Sequence, residues 1–412
     1  MFQFKRLNIL IFFFLLLLVL KNVNFNWKNF ILIFMFIIFL ILNNIYKEFD
    51  FEDWILSLIV FIGSFVIITY DHFLIIYLGL EIQTFSFLIL ISKNKKWINS
   101  SEAGLKYFML GALSSGLFLF GVVLLFITNF SLTIQDFLLH NNPLSSLLIS
   151  LSFFFKLSLF PFHFWVPDIY EGSSLKVLGL IGSLPKISVI YVLIQFKVSW
   201  LFLMCSLLSI IVGTLGALNQ TKIKRLVAYS GISNIGFIVL GLTLINQKSY
   251  LINNIYLVLY IIGFISFIIL ISKISLSKNN YIIELSDNQF INILFSLSWI
   301  IILFSIAGIP PFSGFISKWL LIWNILEENY IISSLICIVF SALGVVYYIK
   351  IIKIIFFQKN SSYIIWKKII LYDKINVLNY YILGSLLFII IFLVFNCKFL
   401  LLFFNFNFIL IN

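Results

Sequence analysis

Four lysines and one glutamate, Lys106, Lys156, Lys186, Lys318 and Glu81, stand inside stretches otherwise dominated by Leu, Ile and Phe. An ionised side chain at the centre of a spanning helix costs about 2.5 to 3.5 kcal/mol on insertion scales, so five of them need a common reason. Their chemistry supplies one. Loss of water disfavours the charged form of a lysine and a nearby carboxylate favours it, so Lys and Glu sharing one wet channel can exchange protons near neutral pH. A row of such groups is a proton relay.

Each charge also has a structural alternative. Lys106 is a few residues inside its helix and could snorkel to the basic surface beside Lys93, Lys95 and Lys96. Glu81 is mid-span in IIYLGLEIQTFSFLIL and cannot, which leaves an ion pair with Lys106 or Lys156 as its structural role. Lys156 lies five residues before Pro161, Lys186 directly follows Pro185, and Lys318 follows Pro310 and Pro311. His163, two residues after Pro161, is a further candidate carrier because imidazole titrates close to neutrality, with a hydrogen-bonded structural role as its alternative. His72 and His140 fall at loop edges, and Cys205, Cys337 and Cys397 are scattered without metal or redox spacing. No phosphate loop, GxSxG elbow, HExxH, haem-ligating His pair or iron-sulfur Cys cluster is present. A chain that moves ions without a visible means of powering the movement belongs to a larger machine.

The elements that must position these groups are membrane helices. The chain has 412 residues, 62% hydrophobic and 10% charged, with a mean hydropathy of +1.15, which excludes a soluble globular domain and defines an all-α polytopic membrane protein. Runs long enough to span fall near 7-20, 28-46, 54-70, 72-92, 103-127, 144-165, 174-197, 199-218, 224-246, 251-272, 290-323, 331-357 and 379-404, about thirteen transmembrane helices. No small-residue cleavage site follows Leu20, so the first run is expected to be retained. The net charge of +12 reflects topology, with no nucleic-acid partner implied. The N-terminus and the loops after even-numbered helices carry Lys5, Arg6, Lys47, Lys93, Lys222, Arg225, Lys273, Lys350, Lys367 and others, against Lys21, Lys28, Lys197, Lys248 and Lys398 on the opposite side. The N-terminus is therefore placed on the positive side.

Two helices contain proline where a span should be continuous, at Pro161 in FFFKLSLFPFHFW and at Pro310 and Pro311 in SIAGIPPFSGFISKW. Proline lacks an amide, so the carbonyls of Leu157, Ile306 and Ala307 are expected to lack helical donors. Pro161 and Pro311 are 150 residues apart, and two five-helix units fit that offset. Because five is odd, the units would be inverted, a transporter architecture with discontinuous helices near the midplane. The expected division is 1-52 for N-terminal helices, 53-197 and 199-357 for the two repeats, and 358-412 for a loop and a last helix.

The segments SEAGLKYFMLGALSSG, FFKLSLFPFHFWVPDIYEGSS, LGALNQTKIKRLVAYSGISNIGF, FSIAGIPPFSGFISKW and SALGVVYYIK occur in order from about Tyr77 to Lys353. Together they resemble the antiporter-like membrane subunits of respiratory complex I, most nearly the family of NADH-ubiquinone oxidoreductase chain 2 and bacterial subunit N. PFHFWVPDIYEG separates that family from chains 4 and 5, which carry a HxEAP-type sequence there. The resemblance implies proton translocation coupled to quinone reduction elsewhere in the complex. On its pattern Glu81 and Lys156 match the carboxylate and lysine of one half-channel, Lys186 the central lysine, Lys318 the lysine of the second broken helix, and Lys106 a further lysine in KYF. It also implies no cofactor in this chain, with FMN, iron-sulfur clusters, NADH and ubiquinone in other subunits. Partners would be the lipid bilayer and other membrane-arm subunits, including chains 4 and 4L. The implied location is the mitochondrial inner membrane, or alternatively a bacterial plasma membrane. An Mrp-type cation/proton antiporter subunit is the alternative function, since its half-channel charges would look the same. Two departures stand out: the bacterial form has one more N-terminal helix, and Asn234 occupies a position where the family often has histidine.

Overall fold

Within a bilayer a chain has no water to bond, so long apolar runs satisfy every amide internally by folding as helices. The computed structural model describes residues 27–45, 51–94, 97–130, 132–139, 143–196, 200–244, 247–272, 281–286, 293–358 and 377–395. The expected first helix at 7-20, Lys5, Arg6, Lys95, Lys96, His140, Cys397 and the 359–374 loop lie outside the described residues. Among the described residues eight helices are long and apolar enough to cross a membrane by themselves.

After α1 (Trp27–Ile45), the first unit comprises α2 (Phe51–Thr69), α3 (Phe73–Ser92), α4 (Ile98–Asn129), the short α5 (Ile134–Leu139), α6 (Pro143–Leu157), α7 (Trp165–Gly172) and α8 (Leu175–Ile194). The second comprises α9 (Trp200–Leu218), α10 (Ile223–Leu242), α11 (Gln247–Ser272), a 3-10 turn (Ile282–Leu285), α12 (Ile293–Ala307), α13 (Ser313–Glu327) and α14 (Ile331–Phe357), followed by α15 (Val377–Phe395). Counting α6 with α7 and α12 with α13 as broken crossings, each unit crosses five times, and the odd number inverts the second relative to the first.

The units repeat in detail. An antiparallel bridge joins His72 to Thr133 before α3, and its counterpart joins Lys222 to Tyr281 before α10. A Cβ placed on Gly63 would lie 2.9 Å from the Gly79 carbonyl, and one on Gly213 would lie 2.9 Å from the Tyr229 carbonyl. Glycine thus brings the first two helices of each unit to backbone contact, as small residues do in membrane packing.

The breaks end alike. At the end of α6 the Leu159 amide bonds the Phe154 carbonyl at 3.0 Å and the Ser158 amide bonds Phe155 at 3.1 Å. At the end of α12 the Ile309 amide bonds Phe304 at 3.1 Å and the Gly308 amide bonds Ser305 at 3.2 Å. These are Schellman endings, each with a left-handed residue three positions before the proline, Ser158 at φ 61° and Gly308 at φ 83°. The break expected at Pro161 within 144-165 is present: the helix stops at Leu157 and resumes at Trp165, because Pro161 has no amide to donate and pushes the residue before it out of the helical region. At the centre of the molecule α8, α10 and α11 are enclosed on most sides, whereas α4 and α14 keep broad apolar faces exposed.

A polar axis through both units

The first break positions Lys156 in the last turn of α6. There it lines a cavity of about 30 Å³ together with Thr84, Tyr107, Ser158, Tyr170 and Lys186. At about 10 to 15 Å³ per water the space holds about two or three. Glu81 reaches this cavity through a neighbour: its Oε2 accepts a hydrogen bond from Thr84 Oγ1 at 3.1 Å. The expected Glu81–Lys156 ion pair is absent at contact distance; among the described residues no carboxylate forms an ion pair with Lys156. The Leu157 carbonyl freed at this break accepts from Ser158 Oγ, and the Phe155 carbonyl accepts from Trp165 Nε1 at 3.1 Å in addition to the Ser158 amide.

Lys186 occupies the middle of α8 and is 5% exposed. Its Nζ donates to Tyr260 Oη on α11 at 3.1 Å. It also lies 5.4 Å from the Tyr260 ring centre, 5.5 Å from Phe264 and 5.9 Å from Tyr170, so three aromatic rings replace part of its lost hydration. Gly231 of α10 adjoins this contact closely: a Cβ there would lie 3.2 Å from Tyr260 Oη and 3.4 Å from Lys186 Nζ.

Tyr260 also lines a second cavity, of about 20 Å³, with Asn234, Tyr256, Ser305, Ser317 and Lys318. Tyr256 Oη donates to Asn234 Oδ1 at 2.9 Å, and Asn234 Nδ2 donates to the Ser230 carbonyl at 2.8 Å. Lys318, on α13, reaches back across the break to the Ile306 carbonyl at 3.1 Å and the Ala307 carbonyl at 2.7 Å. Those are the two acceptors that the proline pair was expected to free. They form the negative end of α12, where a cation is favoured. Lys318 further borders a cleft of about 390 Å³ between α13 and α14, lined by Trp319, Ile322, Ser341 and Val345.

Two candidates lie elsewhere. Lys106 Nζ pairs with Glu102 at 2.6 Å and Asp168 at 2.7 Å in a cleft of about 410 Å³ beside the loops. Arg225 Nη2 binds the other oxygen of Asp168 at 3.0 Å, while Glu171 pairs with both Lys222 and Arg225. His163 is buried after the first break, its ring 4.2 Å from Phe164 and 5.8 Å from Phe160, and does not line the cavity of Lys156 and Lys186. Cys205 and Cys337 are buried free thiols.

Tyr260, Tyr256, Asp168 and Glu171 are not among the site residues expected from the sequence. A signal existed for the tyrosines, which stand four apart on one face of α11 in NNIYLVLY.

Two inverted five-helix units, each broken beside a lysine, define a membrane protein of the antiporter type. The family model described as NADH:quinone oxidoreductase/Mrp antiporter, TM matches residues 71–344. NADH-ubiquinone oxidoreductase chain 2 of Metridium senile is 36% identical over 329 residues, covering 76% of this chain and 85% of that protein. NADH-quinone oxidoreductase subunit N of Orientia tsutsugamushi (strain Ikeda) is 35% identical over 323 residues, 72% of this chain and 67% of that protein. A chain of respiratory complex I from Thermus thermophilus shares the fold with a TM-score of 0.79 at 24% identity, covering 89% of this chain and 83% of that one. The chain belongs to the family of NADH-ubiquinone oxidoreductase chain 2 and subunit N.

Proposed function

We propose that this chain is a proton-translocating, non-redox membrane-arm subunit of respiratory complex I, in which Glu81, Lys156, Lys186 and Lys318 carry protons along the axis just described. It serves NADH:ubiquinone oxidoreduction as a subunit of the enzyme; oxidation of NADH, FMN and iron-sulfur chemistry and ubiquinone reduction fall to other subunits. Chains 4 and 4L are the partners it fits within the membrane arm. Its membrane is the mitochondrial inner membrane or its bacterial counterpart, as for its relatives. The two repeats, 53-197 and 199-357, each contribute one broken helix to the path.

One observation carries the reading. Among the described residues Lys186 and Lys318 have no ion pair, and their partners are a phenol, aromatic rings and two carbonyls. An uncompensated buried charge is strongly destabilising, so a lysine kept charged only for structure is better served by a carboxylate. A lysine that gains and loses a proton is served by neutral partners. Lys186→Met in the intact complex, reconstituted into liposomes, is expected to assemble normally and to lower the protons moved per NADH oxidised. An unchanged ratio would refute the relay.

A further inference from the structure

We infer that Tyr260 is the proton link between the two units, passing protons between Lys186 and the cavity of Lys318. The inference rests on the relay proposed above and adds a residue to it. Lys186 belongs to the cavity of the first unit and Lys318 to that of the second. Tyr260 is the side chain that hydrogen-bonds the first lysine while lining the cavity of the other.

The hydrogen-bond directions suit a transfer. Tyr260 Oη accepts from Lys186 at 3.1 Å, so a lone pair is engaged and its own O–H is left over. Among the described residues that O–H has no acceptor, and the cavity beside it has about 20 Å³, room for one water. Neighbouring Tyr256, by contrast, has its hydrogen committed to Asn234 Oδ1 at 2.9 Å. The step balances as a relay: the N–H bond of the Lys186 ammonium breaks as a new bond forms at Tyr260 Oη. The phenol's original hydrogen passes to a water in the second cavity. Lysine ends neutral, the phenol ends neutral and reoriented, and one proton has crossed between units without any redox change.

The experiment uses the whole complex in liposomes and measures protons moved per NADH alongside uncoupled NADH oxidation. Tyr260→Phe keeps the ring beside Lys186 and deletes the hydroxyl. It is expected to retain uncoupled oxidation and to lower the proton ratio to the value of Lys186→Met, with the double variant no lower than either alone. Tyr260→Gln keeps an acceptor for Lys186 but cannot pass a proton onward as readily, and is expected to match Phe. A normal ratio in the Gln variant would mean that the hydroxyl merely anchors the lysine, and would overturn the proposal. A normal ratio in Tyr260→Phe with a lowered one in Lys186→Met would overturn it too, leaving the lysine relay intact; normal ratios in both would refute the relay itself. Should the Phe variant fail to assemble, Tyr260→Gln carries the test alone, and a normal ratio there overturns the link.

Discussion

Lys186 and Lys106 belong to the same five-helix unit and live in opposite surroundings. Lys186 is enclosed by rings and bonded to a phenol, whereas Lys106 is gripped by Glu102 and Asp168 at 2.6 and 2.7 Å. In the cleft around Lys106, three cations face three carboxylates: Lys106, Lys222 and Arg225 against Glu102, Asp168 and Glu171. The acids there come from α4 and α7 and the bases from α4, α10 and the turn before it, so the cleft fastens the first broken helix to the second unit. Paired charge holds helices together, and charge held by neutral groups remains free to change. The two lysines differ in their partners as well as in their depth, and the relay role proposed above is given to the one held by neutral groups.

Substituting arginine is the sharpest way to break this comparison, because guanidinium stays protonated and therefore keeps charge while abolishing exchange. Lys186→Arg is expected to lower the protons moved per NADH as far as Lys186→Met does, whereas Lys106→Arg leaves the ratio at its normal value. Equal behaviour of the two arginine variants would erase the distinction. A somewhat smaller effect is expected of Glu81→Gln, which removes the carboxylate one hydrogen bond from the first cavity. It should lower the proton ratio and also the yield of assembled complex, read on a native gel.

Asp168→Asn tests the clamp. It weakens the contacts to Lys106 and Arg225, which are partly exposed at 40% and 38%, so their loss is screened by solvent. Exposed pairs are worth about 0.2 to 1 kcal/mol each. A fall of thermal stability of about 1 kcal/mol, shrinking as salt is raised, with the proton ratio unchanged, is the expected result. Smallest of all is the effect of Lys106→Met, which leaves Asp168 its bond to Arg225.

The proline breaks were legible in the sequence because a missing amide acts locally: Ile306 and Ala307 were marked as free acceptors, and Lys318 takes both. The 150-residue offset was visible in the same prolines, and the bridges at His72 and Lys222 extend it. Other features were hidden by distance along the chain. The Lys186–Tyr260 bond spans 74 residues, Lys106–Asp168 spans 62 and Arg225–Asp168 spans 57. A tyrosine in an apolar run reads as one more lipid-facing or packing aromatic until a fold brings a lysine to it. Lys222 and Arg225, read from the sequence as loop charges that set topology, are also paired with acids of α7, two roles that do not conflict.

The 32 residues of α4 also bear on where the clamp stands relative to the lipid. At about 1.5 Å per residue the helix is about 48 Å long, against about 30 Å of hydrocarbon. Fitting that length inside by leaning alone would require about 50° of tilt, beyond the range of about 0 to 40° that such helices adopt. Part of α4 must therefore project past the acyl chains, and its polar opening turns, Asn99, Ser100, Ser101 and Glu102, are the part suited to do so. That puts Lys106 and its acids at headgroup level. Bilayer thickness then acts on this subunit from one end: a thicker membrane would draw lipid up around the cleft, and a thinner one would leave it in water.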